Sequence, residues 1–323
     1  MNKSFKLIFA VLISSLGIYL AFSGENWTEV QSQLINVNFK GILLATFLLV
    51  FSCIVRAYRW KLLIDPIEEI PIRTVFSSTM IGYFGNGILA FRLGELLKAY
   101  SLSKRNQINV SEAFGTVILE RILDLLMVAI VFLVIIPWFP FDNEILRVGS
   151  LSFAGIIFLT VMFSFLLVKK KWLQKIELNW LSGNNLVVQI HKILKEVIKG
   201  LSVIKKNQKK NRVLLLSLFI WLIYIVITII TLNSCDIAMG FYDTLILFIL
   251  GSLSLGIPAL PGSAGTYDAG IKYGLVVIFS IESSKALTYA IVSHAVSYFP
   301  LVIIGAFYFL YGTVKLKDIN SEH

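Results

Sequence analysis

The sequence predicts an all-α polytopic membrane protein, an inverted-topology repeat with two re-entrant helical hairpins. Three observations predict it. The first is composition: of 323 residues, 57% are hydrophobic and 15% charged, with a mean hydropathy of +0.81. An average soluble domain has about 45–50% apolar and 25% charged residues, so this much apolar surface exceeds what one soluble core can hide. The second is that six apolar runs (5–22, 41–55, 117–138, 151–168, 213–232 and 286–311) approach or exceed a bilayer-spanning length. The third is that Gly- and Pro-interrupted segments fall in corresponding places of the two halves, the pattern of a transporter built from inverted repeats.

In chain order, run 5–22 follows Lys3 and Lys6 and reads as a first membrane helix rather than a cleaved signal, since no Ala-x-Ala site follows it. Residues 23–40 carry Glu25 and Glu29 against Lys40 and read as outside, whereas Arg56, Arg59, Lys61 and Arg73 place 56–73 inside. Arg92, Lys98, Lys104 and Arg105 place 92–112 inside as well. Two consecutive inside segments mean that 74–91, with Gly82, Gly85, Gly87 and Asn86, dips in and returns. The second half repeats this in the opposite sense. Asp236 and Asp243 put 233–243 outside, 244–280 dips in from that side, and the last span ends near Lys315 and Lys317. The reading is one integral membrane domain over 1–323, with repeat one at about 41–138, repeat two at about 213–311 and both termini cytoplasmic. The cell (cytoplasmic) membrane is the expected location.

The net charge of +10 has a single source. Residues 169–212, from Lys169 to Arg212, hold twelve Lys and Arg against Glu177 and Glu196, and the rest of the chain is balanced. Beside membrane spans, such a segment reads as a cytoplasmic loop facing anionic inner-leaflet phospholipid, not as a nucleic-acid site. Within it Leu186, Ile190, Ile193, Leu194, Val197, Leu201 and Ile204 recur at helical spacing opposite Gln189, Lys192, Lys195 and Lys199, an amphipathic surface helix. Two cysteines, Cys53 and Cys235, and the scattered His191, His294 and His323 suggest neither a disulfide framework nor a metal site. No cofactor is called for.

Three clusters carry chemistry. In the first, Gly87 to Glu95, Asn86 and the glycines line an irregular turn, Arg92 offers a planar fork suited to phosphate, and Glu95 sits one helical turn away to neutralise it or exchange a proton. In the second, Glu120, Arg121 and Asp124 lie inside a span, where each charge costs roughly 2.5–3.5 kcal/mol on insertion scales. They demand partners or water, as an interhelical lock or as a site. In the third, Pro261, Gly262 and Gly265 break the chain before a half-helix that carries Asp268. A gapless shift of 173 residues pairs Glu95 with Asp268 and Arg121 with His294. Arg56 and Arg59, beside Tyr58 and Trp60 at a span end, read most simply as a snorkelling belt, with a role in gathering anionic head groups as the alternative.

Taken together, Arg92-Leu-Gly94-Glu95, Glu120-Arg121-Ile-Leu-Asp124 and Pro261-Gly262-Ser-Ala-Gly265-Thr-Tyr-Asp268 resemble the lysylphosphatidylglycerol synthase transmembrane-region family over nearly the whole chain. The family usually has a proline where this chain has Ala90-Phe91, and Gly-Gly and a Glu where this chain has Gly262-Ser263 and Asp268. The resemblance implies a flippase-like transporter that moves an anionic lipid, phospholipid or polyprenyl-phosphate-linked. Lipid aminoacylation is not expected, because no aminoacyl-transfer domain follows His323. Arg92 and Arg121 are expected to hold the head group, with Glu95, Glu120, Asp124 and Asp268 balancing charge or carrying protons, and His294 beside them. The rival readings are an intramembrane enzyme acting on a lipid phosphate or lipid-linked sugar, with Glu120 or Asp124 as base, and a non-catalytic subunit of a synthase or glycosyltransferase complex. A homo-oligomer is compatible with all three.

Overall fold

The computed structural model describes residues 3–89, 92–138, 148, 155, 159, 200, 203, 208–256 and 260–312. Regular structure among them is helical. The first run forms α1 (Lys3–Phe22). A short α2 (Trp27–Ile35) begins where the Asn26 side chain accepts from the Glu29 amide. α3 (Phe39–Ile64) is capped in the same way by Asn38 and runs for 26 residues, about 39 Å, enough for a hydrocarbon layer of roughly 30 Å. Two shorter helices follow, α4 (Ile72–Ile88) and α5 (Gly94–Ser103), then the long α6 (Val110–Ile135). The second half has α7 (Lys210–Ser234), α8 (Phe241–Gly256), α9 (Thr266–Tyr273) with a π turn Gly274–Ile278, and α10 (Ser283–Leu310).

The order long, short, short, long therefore occurs twice. α3, α7 and α10 are long and apolar enough to cross a membrane. α6 matches α3 in length but carries Glu120, Arg121 and Asp124 in its middle. Packing interlocks the halves: α4 lies on α5 and α5 on α6, while α8 lies on α9 and α9 on α10. Crosswise, α4 packs on α10, α8 on α6, and α3 along α7.

One boundary differs from the sequence expectation. Within 74–91, α4 continues unbroken to Ile88, and the helix packed back on it, α5, lies in the segment read as a cytoplasmic loop. The two helices touch backbone to backbone. A methyl group on Gly94 would collide with the Gly82 carbonyl oxygen and the Asn86 backbone nitrogen, the small-residue contact by which membrane helices approach closely. Apart from residues 155, 159, 200, 203 and 208–212, the expected span 151–168 and the basic segment with its amphipathic helix lie outside the described residues.

α1 crosses the second short-helix pair at Gly265, whose φ of +83° favours glycine. The Leu260 amide donates to Ser14 Oγ at 2.8 Å. Further along α9, Lys272 Nζ donates to the Ala21 carbonyl at 2.7 Å and pairs with Glu25, which also accepts from Ser283 Oγ at 2.6 Å. Burial pushes the Glu25 pKa up, but the Lys272 and Ser283 hydrogen bonds outweigh it and hold the carboxyl below the usual range. α2 is tied to α10 by Ser284 to Glu29 at 3.0 Å and Thr288 to Gln33 at 3.1 Å.

Because the α4–α5 contact has no room for a side chain, Gly94→Ala is expected to destabilise the protein by about 1–3 kcal/mol. Gly256→Ala, where an added methyl meets nothing within 4 Å, should leave the melting temperature in detergent unchanged.

Candidate functional site

Glu120 and Asp124 are four residues apart on α6 and so share one face. α3 turns Arg56 and Arg59, three apart, toward that face. Arg56 Nη1 lies 2.8 Å from both Glu120 Oε1 and Asp124 Oδ2, while its Nε and Nη2 donate to Tyr224 Oη on α7 at 3.3 and 3.1 Å. Arg59 Nη1 lies 2.9 Å from Asp124 Oδ1 and donates to Ser217 Oγ on α7 at 2.9 Å; Nη2 is 3.3 Å from Glu120 Oε1. From α5, Lys98 Nζ reaches Glu120 Oε2 at 2.7 Å and sits 4.1 Å above the Trp60 ring. Trp60 is itself fixed by a 3.0 Å hydrogen bond from Nε1 to Thr116 Oγ1.

Arg121 stands one step round α6, at the rim. Its Nη2 is 3.1 Å from Glu120 Oε1, its Nη1 3.5 Å from Asp124 Oδ2 and its Nε 3.6 Å from Glu95 Oε1 on α5. The rim is partly open: the Arg121 side chain is 36% exposed, against 0% for Glu120 and Arg59. Four cations (Arg56, Arg59, Lys98 and Arg121) thus face three carboxylates (Glu95, Glu120 and Asp124). Arg92 lies within electrostatic reach of Glu95 and Arg121 and donates to the Leu255 carbonyl in the last turn of α8, where orphan helix carbonyls favour a cation. The contact predicted for Glu95 therefore falls to Arg121. Asn86 packs against Gly94, its buried Oδ1 without a hydrogen-bond partner among the described residues.

The remaining predicted residues form a second cluster. Pro261, Gly262 and Ser263 make a tight turn, with Gly262 at φ +71° under the Tyr298 ring. Asp268 Oδ2 accepts from the Gly265 amide at 2.9 Å, and Oδ1 lies 2.8 Å from His294 Nδ1. His294 Nε2 is 3.0 Å from the Gly262 carbonyl. The two clusters are joined across the halves, since Tyr298 Oη donates to the Gly87 carbonyl at the end of α4 at 3.0 Å. The shift of 173 residues relates two contacts of the same kind. In each half an acid in the first turn of the short return helix, Glu95 or Asp268, meets a base on the following long helix, Arg121 or His294.

Arg56 and Arg59 are a correction to the sequence reading. They are not a snorkelling belt, because they are only 5% and 0% exposed and hold Glu120 and Asp124. Lys98, read as a loop cation, is buried in the same network. Two arginines three apart on a helix, opposite two carboxylates four apart on another, was the available signal. Removing one partner from a buried ion network leaves the others uncompensated and costs about 3–5 kcal/mol. Glu120→Gln should therefore lower the melting temperature sharply, and adding Lys98→Met should recover part of the loss.

Comparison with known proteins places this geometry in a family. The family described as lysylphosphatidylglycerol synthase TM region matches residues 7–305. Two similar chains from Methanocaldococcus jannaschii are named UPF0104 membrane protein. MJ1078 is 28% identical over 251 residues, covering 74% of this chain and all of that one. MJ1595 is 24% identical over 318 residues, covering 94% of both. A UPF0104 membrane protein of Methanothermobacter thermautotrophicus is 24% identical over 276 residues, covering 79% of this chain and 78% of the relative. No solved structure matches the chain significantly. With nearly its whole length matched, the protein belongs to the lysylphosphatidylglycerol synthase TM region family of integral membrane proteins.

Proposed function

We propose that the protein is a flippase-like transporter that moves an anionic, phosphate-bearing lipid across the cytoplasmic membrane, with both termini on the cytoplasmic side. The observation that carries this reading is that, among the described residues, four cations meet three carboxylates in the charge network, together with the position of Arg121 and Arg92. Arg121 and Arg92 stand at the partly open edge, beside the place where the two short-helix pairs meet. A surplus of positive charge at a partly open edge attracts an anion. A phosphate accepts bidentate hydrogen bonds from arginine forks. One turn beyond Asp124, an apolar groove of about 180 Å³ lined by Met127, Val131, Leu218, Trp221 and Leu245 opens between α6, α7 and α8, and suits a lipid chain. In this reading each short-helix pair is re-entrant, the halves have opposite orientation, and the pairs gate access alternately.

The engagement of Glu120 favours transport over the enzyme reading with that residue as base. A general base needs a free lone pair facing its substrate, whereas Glu120 is ion-paired with Arg56, Arg59, Lys98 and Arg121. Asp124 is ion-paired with both α3 arginines and Arg121, while its Oδ1 accepts no hydrogen bond among the described residues. Inner-leaflet phospholipid held by residues 169–212, a synthase or glycosyltransferase partner, and a homo-oligomer are compatible additions.

In liposomes, the purified protein should move fluorescent phosphatidylglycerol or a polyprenyl phosphate between leaflets. A charge-assisted hydrogen bond contributes about 1.5–3 kcal/mol, roughly tenfold or more in binding. Arg92→Ala with Arg121→Ala should therefore slow movement by about a hundredfold or more. Equal rates for wild type and double variant, or none above protein-free liposomes, would overturn the proposal.

A further inference from the structure

We propose that the Asp268–His294–Gly262 chain binds one exchangeable proton and that this proton is the coupling ion of lipid movement; the coupling role rests on the transport reading above. The inference comes from counting donors. His294 Nδ1 lies 2.8 Å from Asp268 Oδ1, and Nε2 lies 3.0 Å from the Gly262 carbonyl oxygen. An ionised carboxylate and a backbone carbonyl only accept, while a neutral imidazole has one N–H. With Asp268 ionised and His294 neutral, one ring nitrogen would aim a lone pair at an oxygen lone pair within hydrogen-bond distance. The observed geometry is satisfied when the pair holds one more proton, either as an imidazolium donating to both oxygens or as a carboxylic acid donating to Nδ1 while Nε2–H donates to Gly262. The other Asp268 oxygen is occupied by the Gly265 amide at 2.9 Å, so the extra proton belongs on the His294 side.

One turn beyond Asp268 on α9, Lys272 is bound to the Ala21 carbonyl and Glu25. On α9, Tyr267 flanks the imidazole at 5.2 Å between ring centroids, its hydroxyl bonded to Ser293 at 3.2 Å; on α10, Tyr298 flanks it at 5.9 Å. Among the described residues, Asp268 is the charged side chain in contact with His294. The α3 arginines, Arg56 and Arg59, are bound to Glu120 and Asp124. Glu29 of α2 is bonded to Ser284, far along α10 from His294. α1 meets this region through the Ser14 carbonyl and Ile18, and α4 through the Gly87 carbonyl held by Tyr298. The corresponding pair of the first half, Glu95 and Arg121, cannot act in the same way, because arginine does not deprotonate in proteins.

Loss of the proton must break one of two bonds, His294 to Asp268 or His294 to Gly262. Gly262 is the apex of the second short-helix pair, packed under Tyr298, which reaches the end of the first pair at Gly87. Proton occupancy is thereby linked to the contact between the two pairs. A proton taken from one aqueous side and released to the other would accompany the anionic lipid and offset its charge.

The test has two arms on the full chain. The first reads the proton directly: nitrogen NMR of histidine-labelled protein in nanodiscs, assigned by His294→Gln, together with the infrared carboxylic-acid band assigned by Asp268→Asn. At neutral pH the expected result is either a doubly protonated His294 or a protonated Asp268; a neutral His294 beside an ionised Asp268 overturns the site. The second arm imposes a pH difference across liposomes containing the protein and fluorescent phosphatidylglycerol. At one proton per lipid, one pH unit sustains a lipid asymmetry of up to about tenfold, which is expected for the wild type and lost in His294→Gln. Wild-type movement that ignores the gradient overturns coupling and leaves the transport reading standing. Absence of movement under every condition overturns the transport reading and the coupling role with it.

Discussion

Two carboxylates set four residues apart in the middle of α6 are the constraint on which the rest of the structure depends. Neither Glu120 nor Asp124 can face hydrocarbon, so other helices must bring cations to them. α3 brings Arg56 and Arg59 together, which orients the whole helix about its axis. α5 brings Lys98, which ties that helix to α6, and the same helix meets α4 at the close contact of Gly94. α7 adds Ser217 and Tyr224 as hydrogen-bond partners of the two arginines. One ionic network thus fixes four helices, with Arg121 at its rim.

Much of the fold was legible because its signals are local. Apolar length announced the long helices, and Pro261, Gly262 and Gly265 announced the break before α9, whereas Gly82, Gly85 and Gly87 lie inside continuous helix. What was misread depends on partners distant in sequence. Arg56 and Arg59 at the end of an apolar run look the same whether they snorkel to an interface or bond to carboxylates more than sixty residues away. Lys98 looked like one more basic loop residue because α5 has too few apolar residues to read as a membrane arm. The pairing of Glu95 with Arg121, rather than with Arg92, follows from the left-handed backbone at Arg92, φ +54°, which turns that side chain to the end of α8. Of the predicted site residues, Glu95, Arg121 and Asp124 assemble around Glu120, and Pro261, Gly262, Gly265 and His294 around Asp268; Arg92 and Asn86 join neither, and Tyr298 links the two clusters through Gly87.

The two halves use one contact with different chemistry. In the first, the base paired with the short-helix acid is an arginine embedded in a network of permanent charges, suited to holding a phosphate. In the second it is a histidine between two acceptors, beside a tight glycine turn, suited to holding a proton. An anionic cargo and a compensating cation would then be bound in equivalent places of the two halves. The crosswise packing of α4 on α10 and α8 on α6 would let a change in one half be felt in the other.

The central claim is that the rim arginines bind an anionic lipid, and native mass spectrometry tests it most directly. Protein released gently from its own membrane would be compared with the Arg92→Ala, Arg121→Ala double variant. The account predicts a discrete phosphate-bearing lipid retained by the wild type and absent from the variant, with both chains folded. The same bulk lipids on both would contradict it and reduce the charge network to a structural lock.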